Sequence, residues 1–222
     1  MKKSFERNTM ENDQARRCVI VGGATIERYD VIRAYLRDTD FYIFCDSGLR
    51  HRDALGVRPD LIIGDFDSHE NPHSGEETIV LPTVKDDTDT AFAVKEAVRR
   101  GFSDFLLIGV IGNRLDHTLG NVQLLYLLDG LGKHALAVDD YSELEVVSTR
   151  PAEVSDSFPY FSLLNLSGLA KGVEIQNAKY ELCGAEIPCD DPYAVSNEPL
   201  RGKTAIIKVR EGRLLLIRDR KE

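Results

Sequence analysis

Residues 61–68 read Leu-Ile-Ile-Gly-Asp-Phe-Asp-Ser, an apolar run followed at once by a glycine and two aspartates. The run 61–63 is typical of the end of a buried strand, and Gly64 opens a turn. In extended geometry Asp65 and Asp67 would project to the same side, because alternate residues of an extended chain share a face. Two carboxylates held that close repel each other unless a cation lies between them. The stretch therefore predicts a magnesium site at the carboxyl end of a strand.

The chain on either side of this stretch alternates strands with helices. Further apolar strand patterns lie at Cys18–Val21, Phe41–Cys45, Thr78–Leu81, Phe105–Ile111 and Ala135–Val138. Helical spacing of apolar residues lies between them, at Tyr29–Leu36, Leu49–Leu55, Thr90–Arg100 and Asp116–Leu128. Continuous apolar strands separated by helices are typical of a parallel sheet covered on both faces. We therefore predict an α/β N-terminal domain with a mostly parallel, Rossmann-like sheet over residues 18–141, preceded by a flexible leader at 1–17.

Residues 142–222 have a different pattern, in which helical periodicity disappears. Short extended runs separated by turns lie at Leu144–Val147, Tyr160–Leu166, Val173–Ile175, Lys179–Leu182, Thr204–Val209 and Leu214–Ile217. Glu211-Gly212 between the last two runs predicts a hairpin turn. This part of the chain is therefore predicted to form a smaller, antiparallel all-β domain.

Composition excludes several classes of function for the 222 residues. The net charge of −9 argues against a nucleic-acid partner, which would need clustered Lys and Arg. No apolar run approaches the roughly 18–20 residues of a membrane span, and no secretory signal is visible. The four cysteines lack zinc-type spacing, and Cys18 and Cys45 fall inside predicted core strands. We expect reduced thiols, a cytoplasmic location and no membrane partner.

Polar and charged residues follow the strands of the predicted parallel sheet, where such folds bind their ligands. They are Asp46, then Asp65 and Asp67, then Asp86 and Asp89, and last Arg114 and Asp116. An aspartate at a helix start also caps the helix, which explains part of the 86–89 run. One carboxylate is enough for capping, so the run also suggests a second arm of the metal site.

Residues 112–117, Gly-Asn-Arg-Leu-Asp-His, end the strongest strand pattern and open a helix. Free N–H groups at a helix start suit a phosphate, and Arg114 adds a forked donor. Asp116 either orients Arg114 or joins the metal ligands, and His117 is either a general base or a hydrogen-bonded supporting residue. The sequence leaves both pairs of alternatives open.

These motifs together resemble those of the thiamine pyrophosphokinase family, in order and approximate spacing over residues 18–217. The matching pieces are Asp46-Ser47-Gly48, Pro59-Asp60 with 64–68, Asp86-Asp87-Thr88-Asp89, 112–117 with Asn121, and Ser196-Asn197-Glu198. Ser47 and Asn113 stand where the family often has glycine, and the chain has no Trp to stack on thiamine.

The resemblance implies an enzyme that transfers the diphosphoryl group of ATP to the hydroxyl of thiamine, giving thiamine diphosphate and AMP. It implies a homodimer with active sites shared between chains, and a C-terminal β-sandwich that helps to hold thiamine. The expected Mg²⁺ ligands, also counted as catalytic together with Arg114 and Asp116, are Asp65, Asp67, Asp86 and Asp89. The expected ATP-binding residues are Asp46, Ser47, Gly48, Asn113, Arg114 and His117. Ser196 and Asn197 are expected on the thiamine side.

Two alternatives accompany this expectation. The same α/β apparatus could transfer a diphosphoryl group to another hydroxymethyl compound such as a pterin, although Ser196-Asn197-Glu198 and the β domain count against that. A non-catalytic regulator that binds a nucleotide or thiamine would be expected to lose the acidic ligands, yet all of them are present.

Overall fold

The computed structural model describes residues 16–66, 75–82, 86–112 and 114–220. The chain divides into two compact units, Met1–Asp140 and Tyr141–Glu222. This division falls one residue before the predicted boundary.

The first unit is an α/β layer structure built on parallel strands. Its strands are β1 (Cys18–Val21), β2 (Phe41–Cys45), β3 (Leu61–Gly64), β4 (Glu77–Val80), β5 (Asp104–Ile108) and β6 (His134–Val138). Its helices are α1 (Tyr29–Arg33), α2 (Arg52–Leu55), α3 (Asp89–Arg99) and α4 (Leu115–Gly130), with a 3₁₀ helix at Asp46–His51. The strand order is β4-β3-β2-β1-β5-β6, and every pair is parallel. The predicted mixed α/β fold with a mostly parallel sheet is confirmed.

Burial explains why these runs form strands. Every residue of β1, β2 and β3 is buried, as expected for strands covered on both faces. Helix α3 begins at Asp89, one residue before the predicted start, because Thr88 caps it: the Thr88 hydroxyl accepts a hydrogen bond from the Ala91 N–H at 3.1 Å. Strand β5 ends at Ile108, three residues earlier than expected, because Gly109 has φ 62° and takes the chain out of the strand.

The strand order of the first unit reverses beside β1. The chain proceeds from β1 outward to β4, and then returns to place β5 on the other side of β1. The Gly22 N–H donates to the Ile108 carbonyl, and the Ala24 N–H donates to the Gly109 carbonyl, each at 2.8 Å. These bonds hold the loops after β1 and β5 together at the switch point, where open α/β sheets bind ligands.

The second unit is all β and antiparallel. Its strands are β7 (Ser142–Val147), β8 (Ala152–Ser155), β9 (Tyr160–Leu164), β10 (Leu169–Gln176), β11 (Leu182–Pro188), β12 (Thr204–Lys208) and β13 (Leu214–Asp219). Strand β13 pairs with β7 and β9, whereas β11, β10, β12 and β8 form a four-stranded sheet in that order. Both groups contribute to one core, with Phe161 and Leu216 from the first and Val173 and Ile207 from the second.

Two sequence predictions in the second unit are wrong, and one strand was missed. Glu211-Gly212 does not close a hairpin, because β12 pairs with β8 and β10 while β13 pairs with β7 and β9. The Lys171 N–H donates to the Glu211 carbonyl at 2.8 Å, which ties this turn to β10 instead. The run predicted at 179–182 lies ahead of strand β11, which starts at Leu182, and strand β8 was not predicted. Short strands with few apolar residues give weak periodicity.

The predicted leader is shorter than 17 residues. The Arg17 guanidinium is buried and makes two hydrogen bonds to the Asp40 carboxylate, at 3.0 and 2.7 Å. Arg16 donates to the carbonyls of Thr39 and Asp40. Residues 1–15 lie outside the described residues.

None of the four cysteines forms a disulfide; Cys18 and Cys45 lie in the core, and Cys183 and Cys189 lie at the surface. Among the described residues, no helix is long and apolar enough to cross a membrane.

Candidate active site

Three carboxylates meet at the carboxyl ends of β2 and β3. Asp46 follows β2, Asp65 follows β3, and Asp89 is the first residue of α3. One oxygen of each lies within 4.8 Å of the others, and Asp46 is buried at 4% exposure. Three converging carboxylates are a donor set that fits a hard divalent cation. Asp65 and Asp89 were expected here as metal ligands, whereas Asp46 was expected on the nucleotide side.

Gly64 makes this convergence possible. A Cβ atom at position 64 would lie 2.5 Å from the Cβ of Asp46 and 3.3 Å from its carboxyl carbon. Any larger residue would push Asp46 away from the strand end, because two carbon atoms cannot approach that closely. The glycine that the sequence marked as a turn residue therefore also admits the neighbouring carboxylate.

The extended geometry expected for the 65–67 turn is wrong. Strand β3 ends at Gly64, and Phe66 has φ 55°, in the left-handed region that large residues rarely adopt. The alternation of side chains that holds in a strand does not continue through such a residue. Asp67 lies outside the described residues, so its place among the metal ligands stays a prediction.

Asp86 does not join the acidic cluster. Its side chain is exposed, and the cluster of described residues contains only Asp46, Asp65 and Asp89. The neighbouring Asp87 receives both of its 2.7 Å hydrogen bonds from the Lys95 ammonium group. Of the acidic run 86–89, the structure therefore brings only Asp89 to the other carboxylates.

A cavity of about 330 Å³ opens beside the cluster, at the switch point of the sheet. Its walls include residues 23–25 after β1, residues 88–90 at the start of α3, and Gly109, Val110 and Gly112 after β5. Asp89 belongs both to these walls and to the carboxylate cluster. The cavity therefore borders the three carboxylates that could hold a cation.

Several of the expected ATP-binding residues line this cavity. Ser47, Arg114 and His117 do so. Gly48 does not line the cavity but packs against the end of β1, where a Cβ at position 48 would be 2.2 Å from the Val21 carbonyl oxygen. Asn113 lies outside the described residues. The buried Asn121 also lines the cavity, and its amide donates to the Val110 carbonyl at 2.7 Å.

Arg114 and Asp116 form a forked ion pair at the start of α4. The guanidinium donates to both carboxylate oxygens, at 2.9 and 2.6 Å, and both side chains are exposed. The hydrogen bond from Arg114 holds the pKa of the Asp116 carboxyl well below its usual range. The sequence left two roles open for Asp116, orienting Arg114 or binding the metal. The ion pair matches the first role, and among the described residues Asp116 is not in the acidic cluster.

Sequence reasoning missed two residues that fix the loop after β1. Arg50 donates to the Ser47 carbonyl at 3.0 Å and also to the Gly23 carbonyl. His51 is buried and bonds the Ala24 carbonyl through Nε2 at 2.9 Å. Because a carbonyl only accepts, Nε2 carries the hydrogen, and burial lowers the pKa of His51, which favours the neutral ring. Both residues follow a strand end, which is the signal that could have identified them.

The second unit has a cavity of its own, of about 400 Å³. Ser196 and Asn197, expected on the thiamine side, both line it. Tyr180 and Tyr193 are the aromatic residues in its walls. Ser196 has φ 60°, and its N–H donates to the Ser162 hydroxyl at 3.0 Å, which holds this turn against β9.

Comparison with known proteins matches the first unit to a described family. The model of the thiamin pyrophosphokinase catalytic domain matches residues 32–135, which include the acidic cluster and the start of α4. Residues 32–135 are therefore similar to the catalytic domain of the thiamine pyrophosphokinase family. The resemblance drawn from the motifs is confirmed.

Similarity to individual members of the thiamine pyrophosphokinase family extends over nearly the whole chain. The thiamine pyrophosphokinase of Bacillus subtilis is 23% identical over 208 residues, covering 90% of this chain and 97% of that protein. The crystal structure of the Bacillus subtilis enzyme superposes with a TM-score of 0.83 at 22% identity, covering 93% of this chain and all of that one. The Geobacillus thermodenitrificans structure gives a TM-score of 0.79 at 26% identity, covering 93% and 98%.

Proposed function

We propose that this chain is an ATP:thiamine diphosphokinase, which transfers the diphosphoryl group of ATP to the hydroxyl of thiamine and releases AMP. The observation that carries the proposal is the carboxylate cluster of Asp46, Asp65 and Asp89, which borders the switch-point cavity inside a thiamine pyrophosphokinase catalytic domain. The comparisons favour neither the pterin diphosphokinase nor the non-catalytic regulator.

The metal that this chemistry requires is proposed to be Mg²⁺, held by Asp46, Asp65 and Asp89. Three carboxylate oxygens within 4.8 Å of one another suit an ion that prefers oxygen ligands. When bound, Mg²⁺ would neutralise negative charge on the phosphate oxygens of ATP. Asp67 and Asp86 remain proposed ligands from the sequence, and the exposure of Asp86 makes it the weaker of the two.

The nucleotide is proposed to occupy the switch-point cavity of the first unit. A volume of about 330 Å³ lies within the usual range for small-molecule pockets. Arg114, held in place by Asp116, offers guanidinium N–H groups to the phosphates at the start of α4. Ser47, Asn113 and His117 are proposed as further contacts to ATP.

In the proposed reaction, the thiamine hydroxyl oxygen attacks the β-phosphorus of ATP in line with the oxygen that bridges the α- and β-phosphorus atoms. The new O–P bond forms as the bond to that bridging oxygen breaks, and AMP leaves. Such transfers depend mainly on positioning and electrostatic stabilisation. Arg114 would hold the phosphates, and the hydroxyl proton would pass to a nearby carboxylate late in the step.

Thiamine is proposed to bind in the cavity of the second unit, beside Ser196. The two groups of antiparallel strands in this unit share one hydrophobic core, which supports the proposal that the unit is a β-sandwich. The family resemblance supports a homodimer in which each active site combines residues of both chains. Four cysteines that form no disulfide are consistent with the cytoplasmic location that we propose.

An assay of AMP release tests this function directly. The full chain is incubated with ATP and Mg²⁺, and thiamine and a hydroxymethyl pterin are supplied in parallel reactions. We expect AMP release that depends on thiamine, with thiamine diphosphate formed in equal amount. Folded protein that releases no AMP with thiamine would overturn the proposal, and release with the pterin alone would replace the substrate.

A further inference from the structure

We propose that Asn197 does not contact thiamine and instead positions Tyr180, whose ring forms with Tyr193 the aromatic wall of the thiamine pocket. The inference rests on the proposed function and assigns the residues that determine substrate binding in the second unit. It revises the expectation that Asn197 itself binds thiamine.

The Asn197 amide is already occupied by main-chain groups. Its Nδ2 donates to the Tyr180 carbonyl at 2.7 Å, and its Oδ1 accepts from the Tyr180 N–H at 3.0 Å. Oδ1 also accepts from the Glu198 N–H at 2.9 Å, so both of its acceptor positions are used. At 4% exposure, Asn197 offers almost no surface to a ligand.

These bonds hold both polar groups of the Tyr180 backbone, its N–H and its carbonyl. The main chain of Asn197 is itself paired with Phe161 of β9, through bonds of 2.8 and 2.9 Å. Asn197 therefore connects a strand of the core to the 177–181 turn, which is also held by a bridge between Ala178 and Pro199. Removing the amide would free the N–H and the carbonyl of Tyr180 and so loosen the position of its ring.

The Tyr193 ring is held in a different way. Its hydroxyl donates to the Glu186 carbonyl of β11 at 3.0 Å, and burial raises the pKa of Tyr193, which keeps the hydroxyl protonated. Tyr180 and Tyr193 are 58% and 46% exposed, and Ile175 and Leu182 also line the cavity. Two anchored tyrosines in the walls of one cavity form a preorganised surface for an aromatic ligand.

The charge of the pocket suits a cation. The Lys179 ammonium lies 5.5 Å from the Tyr180 ring centroid, but it is paired with the Glu198 carboxylate at 2.7 Å. Lys179 does not line the cavity, and the described residues that do are all uncharged. Thiamine has an aromatic pyrimidine and a cationic thiazolium ring, and electron-rich tyrosine faces attract cations.

A double-mutant cycle tests the positioning role in the full chain, with saturating ATP and Mg²⁺. Tyr180→Leu is expected to raise the KM for thiamine about tenfold and to leave kcat nearly unchanged, because ground-state stacking is lost. Tyr180→Phe keeps the ring and is expected to stay within about twofold of the wild type. Asn197→Ala is expected to raise the same KM about fivefold, and to add nothing once Tyr180 is Leu.

Tyr160→Leu is the matched control, because Tyr160 is a similarly exposed tyrosine (47%) of the same unit that does not line the cavity. It should leave the KM for thiamine unchanged. If Asn197→Ala does not fold, Asn197→Ser replaces it in the cycle, since that variant stays polar and uncharged and removes the amide that bonds both the N–H and the carbonyl of Tyr180.

Two results would overturn the inference. Additive effects in the cycle would show that Asn197 contacts thiamine itself, and an unchanged KM in Tyr180→Leu would remove the ring from the site. Either result in an active wild type leaves the proposed function intact. The opposite outcome is also distinguishable. If the wild type releases no AMP but binds thiamine in calorimetry, and Tyr180→Leu weakens that binding, the proposed activity is refuted and the inference about Tyr180 stands.

Discussion

The two units of this chain bring distant polar residues together by different means. In the first unit, Asp46, Asp65 and Asp89 follow separate elements and converge because parallel strands end at one edge of the sheet. In the second unit, the strands are antiparallel and their ends point both ways. There a turn is placed by side-chain hydrogen bonds, those of Asn197 to Tyr180. Parallel strands place such residues at one edge of the sheet by topology alone, whereas in the antiparallel unit a loop is positioned by its own hydrogen bonds.

The largest effect should come from breaking the converging carboxylates. Asp89→Asn is expected to lower kcat at saturating Mg²⁺ by about 10³-fold, because one metal ligand and several kcal/mol of charge stabilisation are lost. Asp87→Asn, from the same acidic run but paired with Lys95, is the matched control and should lose less than about threefold. Steady-state AMP release measures both, and equal losses would show that the effect is not specific to the carboxylate cluster.

Removing the space at the strand end should disturb the same convergence without touching a charge. Gly64→Ala places a Cβ 2.5 Å from the Cβ of Asp46, and a displacement of the carboxylate is expected to cost about 100-fold in kcat. Gly120→Ala is the control, because position 120 in α4 has open space and alanine favours a helix. Comparable melting temperatures with unequal activities would support this account, and full activity in Gly64→Ala would refute it.

Each unit also has a buried arginine that can be used to compare their stabilities. Arg17 pairs with Asp40 in the first unit, and Arg218 with Glu143 and Glu145 in the second. We expect Arg17→Met to lower the free energy of unfolding by about 3 kcal/mol, because the buried Asp40 carboxylate loses its guanidinium partner. Arg218→Met should lower it by less, because Glu143 keeps the Arg220 guanidinium at 3.0 Å. Urea denaturation measures the loss, and hydrogen exchange should show it mainly in the unit that carries the change.

The Arg114–Asp116 pair should have a smaller effect, since both side chains are exposed. Asp116→Asn is expected to raise the KM for ATP by at most about fivefold and to leave the KM for thiamine unchanged. A loss of kcat like that of Asp89→Asn would instead make Asp116 a metal ligand. Because the pKa of Asp116 is lowered, its carboxyl stays ionised at neutral pH. The ratio of the KM for ATP of Asp116→Asn to that of the wild type should therefore not change between pH 6 and about pH 8.

The smallest effect concerns Asp104, which accepts a 2.7 Å hydrogen bond from His134. The pKa of Asp104 is lowered; burial acts against this shift, and the hydrogen bond from His134 produces it. A lowered pKa in the folded state stabilises the protein above the unfolded value near 3.8, and the contribution is lost as the pH falls through the folded value. Asp104→Asn should therefore lower the melting temperature slightly at pH 6, and the difference should vanish at strongly acidic pH.

Much of the first unit could be predicted from the sequence because its strands are continuous apolar runs. The bounds of β1 and β2 agree with the expected ones. The edge of the sheet that carries the site was predicted from the polar residues that directly follow the strands. The second unit was harder. The partners of β12 and β13 depend on which sheet each strand joins, and no local pattern at Glu211-Gly212 reports that.

The residues of the active site divide in the same way. The sequence by itself determined that aspartates follow buried strands, because burial and turn chemistry are local properties. Only the tertiary structure decided that Asp46 joins Asp65 and Asp89, that Asp86 stays outside, and that Asn197 bonds to Tyr180. These outcomes depend on distances between segments far apart in the chain, which sheet order and the space beside Gly64 establish only on folding.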